Sequence, residues 1–209
     1  FTENTALGIT QASNVSFIIC TAPLLTTILS LLFYKSEKAS KGLIYGSLLA
    51  LMGVGLIVFN GSFVLKISPI GDLLTLLAAL SWAFYSLIIK KMAGRYPTIF
   101  ITRKIFFYGV LTILPAFLLH PLHPDTAVLL QPAVLFNLLF LAVLASLICY
   151  VLWNVVLKQL GTVRASNYIY LNPLVTMIAS FLILDEKITL VALGGAACIV
   201  CGVYWAEKK

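Results

Sequence analysis

A few polar and aromatic side chains interrupt the long apolar segments of this sequence, and their chemistry suits binding. Aromatic rings together with a few amides form walls that hold organic molecules, including organic cations. A carboxylate inside an apolar segment is costly to bury, so it suggests proton coupling or cation binding. The candidate substrate-binding residues are Trp82, Tyr85, Asn154, Tyr168, Asn172, Glu3 and Asn14.

Each candidate also has a purely structural interpretation. Glu3 would lie near an interface, and Asn14 would cap a helix or form a hydrogen bond between helices. Trp82 and Tyr85 are three residues apart and share a helical face, where they would form aromatic core or an interfacial belt. The amino-acid types alone leave both interpretations open for every candidate.

Catalytic patterns are absent from the sequence. It has no His-Glu-x-x-His motif, no serine with a histidine inside an apolar segment and no Gly-rich phosphate loop. Cys198 and Cys201 have redox spacing but lie in an apolar stretch with no activating cation. The two histidines of segment 120–125 lack a supporting ligand pattern for a metal. We therefore expect a protein that is not an enzyme and needs no cofactor or metal.

The composition indicates whether the chain is surrounded by water or by lipid. Hydrophobic residues make up 61% of the 209 residues, charged residues 10%, and the mean hydropathy is +1.06. A soluble domain has roughly 45–50% apolar and ~25% charged residues. This composition therefore excludes a soluble enzyme, and it excludes a nucleic-acid-binding module even though the net charge is +7. Lipid offers the backbone no hydrogen bonds, which predicts an all-α, polytopic membrane helix bundle.

Seven uncharged runs are long enough, or nearly so, to cross a hydrocarbon core of ~30 Å. The third is short but can be extended by 67–71, and the fifth helix is expected to begin near residue 133. The runs are 12–34, 42–65, 73–89, 105–124, 126–157, 165–184 and 188–206.

Basic residues predict the orientation of these spans. Of the 14 lysines and arginines, all but Lys66 and Lys187 fall on one side of the predicted membrane. The positive-inside rule then places the C-terminus in the cytoplasm of a multi-pass protein of the cell (inner or plasma) membrane.

The sequence also repeats itself. Ala12-Ser13-Asn14 matches Ala165-Ser166-Asn167, and Pro23 matches Pro173. Two glycine pairs, Gly46 with Gly195 and Gly53 with Gly202, continue the match at offsets of 149–153. The shift of five spans is odd, so the copies have opposite orientations in the membrane, as is common in transporters.

The prolines predict where the repeated helices break. A proline inside a helix removes a backbone donor and leaves a carbonyl free, which lipid cannot satisfy. Pro23 and Pro173 occupy matching positions, and Asn172 lies beside Pro173. We expect a cavity between the repeats, near mid-membrane.

The A-S-N motif, the mid-helix proline, the short loop with Glu-Lys (Glu37-Lys38 and Glu186-Lys187) and the Gly-rich helix together resemble the EamA-type transporters of the drug/metabolite transporter superfamily. The resemblance implies ten helices in two inverted five-helix repeats. Seven spans would be present here, with 1–65 as the last part of the first repeat and 66–209 as a complete second repeat in an N-terminally truncated chain.

The resemblance also implies a function. The expected activity is export of small organic metabolites or amino acids by alternating access. A non-transporting membrane scaffold fragment and an intramembrane enzyme are the alternatives. The partners expected are a small-molecule substrate, the lipid bilayer, protons as coupling ion and a second copy of the chain in a homodimer, with no nucleic acid.

Overall fold

A computed structural model of the protein describes residues 2–34, 40–59, 68–119, 126–184 and 188–208. Within these ranges the regular elements are all helical, which confirms the all-α expectation. The α-helices are α1 (Thr2–Leu7), α2 (Ala12–Ile19), α3 (Ala22–Phe33), α4 (Lys41–Phe59), α5 (Pro69–Ala93), α6 (Thr98–Leu119), α7 (Thr126–Leu129), α8 (Pro132–Leu139), α9 (Cys149–Leu160), α10 (Thr162–Asn167), α11 (Asn172–Leu184) and α12 (Leu190–Glu207), with a π-helical segment at Phe140–Ile148 and a 3-10 turn at Tyr168–Leu171.

These helices form seven segments long and apolar enough to cross a membrane, as the sequence predicts. The third runs over Pro69–Ala93, so the expected extension is present, and the fifth begins at Pro132. The fourth begins at Thr98 and not at residue 105, because Arg103 and Lys104 lie inside the helix. The Lys104 ammonium lies 5.7 Å from the centre of the Tyr108 ring, within cation–π range, which lets the helix carry the charge.

The chain divides into two compact units, and the first comprises residues 1–88 and 162–209. Its main seam is the antiparallel packing of α4 against α12. A Cβ atom built on Gly53 would lie 2.5 Å from the carbonyl oxygen of Gly195, and one built on Gly202 would lie 2.6 Å from that of Gly46. Glycines at repeat-related positions thus meet crosswise, which confirms that they bring two helices into close contact.

The core of this first unit is formed beside that seam. Tyr170, from the 3-10 turn, is fully buried together with Val54 of α4 and Ile199 of α12. The hydroxyl of Ser47 donates a hydrogen bond to Oδ1 of Asn167 at 3.3 Å. The turn between α10 and α11 is therefore packed directly against the glycine seam.

The second unit comprises residues 89–161. Here α6 packs against α9, and Asn154 is buried with its amide Nδ2 donating to Thr102 Oγ1 at 2.9 Å. The long apolar segment from Pro132 has no buried residue in its most apolar window, as suits a helix surrounded by lipid tails. The unit ends at Gly161, whose φ of 81° and ψ of 163° are accessible essentially to glycine alone.

Candidate functional site

Two spans of the first unit are broken, and the breaks lie at repeat-related positions. The first span is interrupted at 20–21, between α2 and α3, and the sixth at Tyr168–Leu171, between α10 and α11. Each following helix has its proline as second residue, Pro23 in α3 and Pro173 in α11. The structure therefore confirms the two breaks that the prolines predict.

Tight local hydrogen bonds hold both breaks. The backbone N–H of Thr21 donates to the carbonyl of Ile18 at 2.9 Å, and the Thr21 hydroxyl donates to the same oxygen at 2.6 Å. In the second break the N–H of Asn172 donates to the carbonyl of Ile169. Both bonds join residues three apart, as in a 3-10 helix, so the chain is wound more tightly there than in the α-helices on either side.

A cavity of about 510 Å³ lies between these two breaks and the short helix α1. Its polar lining consists of one carboxylate, three hydroxyls, one amide and one thiol, and the remaining side chains are apolar. Such a mixture is typical of small-molecule sites, which are mostly apolar with a few fixed polar groups. The described lining residues are Glu3, Leu7, Ala12, Ser13, Val15, Ser16, Ile19, Cys20, Ile57, Val58, Ile169, Asn172, Pro173, Thr176, Met177, Ile188 and Ala192.

Two of the predicted site residues line this cavity. Glu3, on α1, and Asn172, at the start of α11, both have exposed side chains there. Asn14 lies between the lining residues Ser13 and Val15, but its side chain is buried in the helix packing. The structure thus brings together the carboxylate, the amide beside Pro173 and the helix that carries the first Ala-Ser-Asn motif.

Trp82, Tyr85 and Tyr168 belong to the same unit but lie outside the lining of the cavity. The rings of Trp82 and Tyr85 are neighbours, with centroids 5.4 Å apart, as their spacing on one helical face predicts. The hydroxyl of Tyr168 donates a short hydrogen bond to Glu207 Oε1 at the end of α12. These three residues stay predicted site residues that the cavity does not include.

Asn154 belongs to the second unit, where it is 1% exposed. Its hydrogen bond to Thr102 joins α9 to α6, so the observed role of its amide is to connect two helices. The predicted role in substrate binding has no support from this geometry and stays a prediction.

Sequence reasoning missed the hydroxyl and thiol groups of the cavity. Ser13, Ser16 and Cys20 follow one another at helical spacing, so they lie on the same side of α2 and of the residue that follows it. Thr176 lies one turn after Asn172 and donates its hydroxyl to the Asn172 carbonyl at 3.0 Å. Spacing relative to the two prolines could have identified both sets.

Metal binding receives no support from the part of the chain that the structure describes. No group of three or more His, Cys, Asp and Glu residues comes together there. Segment 120–125, with its two histidines, lies outside the described residues.

Comparisons with known proteins agree on one family. The sequence profile of the EamA-like transporter family matches residues 69–206. An uncharacterized transporter of Archaeoglobus fulgidus is 30% identical over 206 residues, which is 98% of this chain and 70% of that protein. A probable amino-acid metabolite efflux pump of Escherichia coli K12 is 24% identical, over 95% of this chain and 69% of that protein. A solved crystal structure superposes with a TM-score of 0.85 at 18% identity, covering 99% of this chain and 71% of that one, and it supports the fold.

Proposed function

The chain belongs to the EamA-like transporter family, and from this premise we propose that it exports small organic metabolites or amino acids by alternating access. Family membership makes it a multi-pass membrane transport protein. The substrate class, the direction of transport and the mechanism are the proposal.

The observation that carries the proposal is the cavity of about 510 Å³ at two repeat-related helix breaks. In transporters with inverted repeats, substrate sites lie at the repeat interface, where discontinuous helices expose polar groups. Because Cys20 of the first break and Ile169 of the second both line the cavity, each break contributes to it. A site shared by two oppositely oriented copies can face either side of the membrane as the copies rock.

The size of the cavity and the names of two relatives support the substrate class. Sites for small organic ligands have volumes of roughly 300–1,000 Å³, and this cavity lies within that range. Relatives in Escherichia coli and Salmonella typhimurium are described as probable amino-acid metabolite efflux pumps. For this chain we propose the same direction of transport, out of the cell. The protein would lie in the cell membrane with its C-terminus in the cytoplasm.

The test is transport by the purified native protein in proteoliposomes, with a panel of labelled metabolites and amino acids. A matched pair of variants locates the path. Thr176→Val removes a hydroxyl at the cavity, whereas Thr112→Val removes one that is exposed on α6 and bonded to Tyr108 of its own helix. We expect Thr176→Val to change transport and Thr112→Val to leave it unchanged.

Two outcomes would contradict the proposal. Failure of the wild-type protein to move any compound of the panel would favour the non-transporting scaffold. Equal transport by the two threonine variants and the wild type would mean that the substrate passes elsewhere.

A further inference from the structure

One polar group of the cavity is charged and the others are neutral. Among the lining residues that the structure describes, Glu3 is the one with a charged side chain. Its carboxylate is exposed, so a ligand can reach it. A carboxylate at the wall of a cavity attracts a cationic group and repels an anionic one.

The two helix breaks offer fewer free backbone donors to an anion than ordinary helix N-termini do. A helix N-terminus usually offers free backbone N–H groups to a carboxylate or phosphate. Here the N–H of Asn172 already donates to Ile169, and the next residue, Pro173, has no N–H. In the first break the N–H of Thr21 donates to Ile18, and Pro23 lacks the donor in the same way.

The rest of the lining suits an apolar body. Leu7 and Val15 contribute aliphatic side chains from α1 and α2, Ile57 does so from α4, and Met177 from α11. Methionine is unbranched and flexible, so Met177 can adapt to ligands of different shape. Asn172, Ser13, Ser16 and Thr176 offer neutral hydrogen bonds, which an amine, ester or amide can accept or donate without a second charge.

On the basis of the proposed function, we propose that this cavity takes organic amines: compounds with one ammonium group, an apolar body and a carboxyl group that is absent or masked as an amide or ester. The ammonium group pairs with the carboxylate of Glu3, and the apolar body lies against α4 and α11. Free amino acids would bind less well, because their carboxylate would approach Glu3 with no cationic partner from the described lining.

Three probes with the same phenyl group test this selectivity: phenylalanine amide, phenylalanine and 3-phenylpropionate. They are a cation, a zwitterion and an anion at mildly acidic pH, where the amino group of the amide is fully protonated. Binding to the purified native protein in detergent is measured by isothermal titration calorimetry. A hydrogen bond to a charged group stabilises a complex more than one between neutral groups. We therefore expect phenylalanine amide to bind roughly tenfold or more tightly than phenylalanine, and 3-phenylpropionate to bind least tightly.

A second comparison uses two variants. Glu3→Gln keeps the shape of the side chain and removes its charge, and we expect it to abolish the preference for phenylalanine amide. Glu207→Gln removes a carboxylate outside the cavity and is expected to keep the preference. The three-probe comparison uses wild-type protein and needs no variant. The selectivity can therefore be tested even if a variant fails to fold.

Several results would overturn the inference. They are tighter binding of phenylalanine than of its amide, binding of none of the three probes, or a preference that survives Glu3→Gln. Transport of the metabolite panel distinguishes failure of the proposed substrate class from failure of the proposed function. Transport without a preference for amines would refute the substrate class and leave the proposed function intact, whereas no transport of any compound would refute the proposed function.

Discussion

The glycine seam between α4 and α12 allows a sharp test of the packing. Gly194 and Gly195 are neighbours on α12, but a Cβ atom on Gly194 would meet nothing within 4 Å. A Cβ atom on Gly195 would lie 2.7 Å from the carbonyl oxygen of Gly53 and 2.9 Å from Cγ1 of Ile57. Gly195→Ala therefore forces the backbones apart, and Gly194→Ala does not.

The magnitude follows from the distances. Ordinary van der Waals contact begins near 3.4 Å, whereas the Cβ atom on Gly195 would lie 2.7 Å from the Gly53 oxygen, so α4 and α12 must separate by about 0.7 Å. A gap of that size loses roughly a quarter to a half of the energy of each van der Waals contact along the seam. Overpacking of this kind costs about 1–3 kcal/mol. Both variants gain the same helix propensity from alanine, roughly 1 kcal/mol, so the difference between them isolates the steric effect.

The assay is thermal unfolding of the two purified variants in detergent. For a chain of this size, each kcal/mol corresponds to about 2–4 °C in Tm, so we expect Gly195→Ala to melt at least ~2 °C below Gly194→Ala. Equal Tm values for the two variants would refute the close packing of α4 against α12.

Three further predictions concern other parts of the molecule. A reporter fused to the C-terminus is expected to be cytoplasmic and one inserted at 120–125 to be on the opposite side; a cytoplasmic signal from both would refute the predicted topology. Thr102→Val removes the acceptor of the Asn154 hydrogen bond and is expected to cost about 1 kcal/mol in unfolding free energy, against no change for Thr112→Val. Asn172→Ala is expected to lower transport in proteoliposomes at unchanged membrane expression, because its amide lines the cavity; normal transport would contradict that role.

The spans and their breaks were predictable because lipid leaves the chain few options. Each span needs a long apolar run, and a proline inside one favours an interruption near its own position, although Pro115 lies within the continuous helix α6. Pro23 and Pro173 therefore identified both breaks, and the repeat identified the glycines that meet across the seam. The start of α6 was not predictable from uncharged runs, because Lys104 lies within cation–π distance of rings on its own helix.

The cavity was less predictable than the spans. Trp82 and Tyr85 have the chemistry of a ligand wall, and their rings are adjacent, but which neighbour that face meets depends on the rotation of α5 in the bundle. Thr176 was missed because its hydroxyl bonds to its own helix and gives no sign of a site on its own. Glu3 and Asn172 were identified because a carboxylate and an amide beside a proline are expensive in lipid without a partner.

We propose the cavity between the two broken helices as the substrate site, and a cysteine introduced at Thr176 tests this most directly. Thr176 is exposed and lines the cavity, whereas Thr112 is exposed on α6 outside it. In native protein whose own cysteines are replaced by serine, the rate of alkylation of the Thr176→Cys or Thr112→Cys variant is measured with and without a saturating transported compound. We predict that the compound slows alkylation at position 176 and leaves that at position 112 unchanged. An unchanged rate at position 176 under conditions of active transport would contradict the assignment of the substrate site.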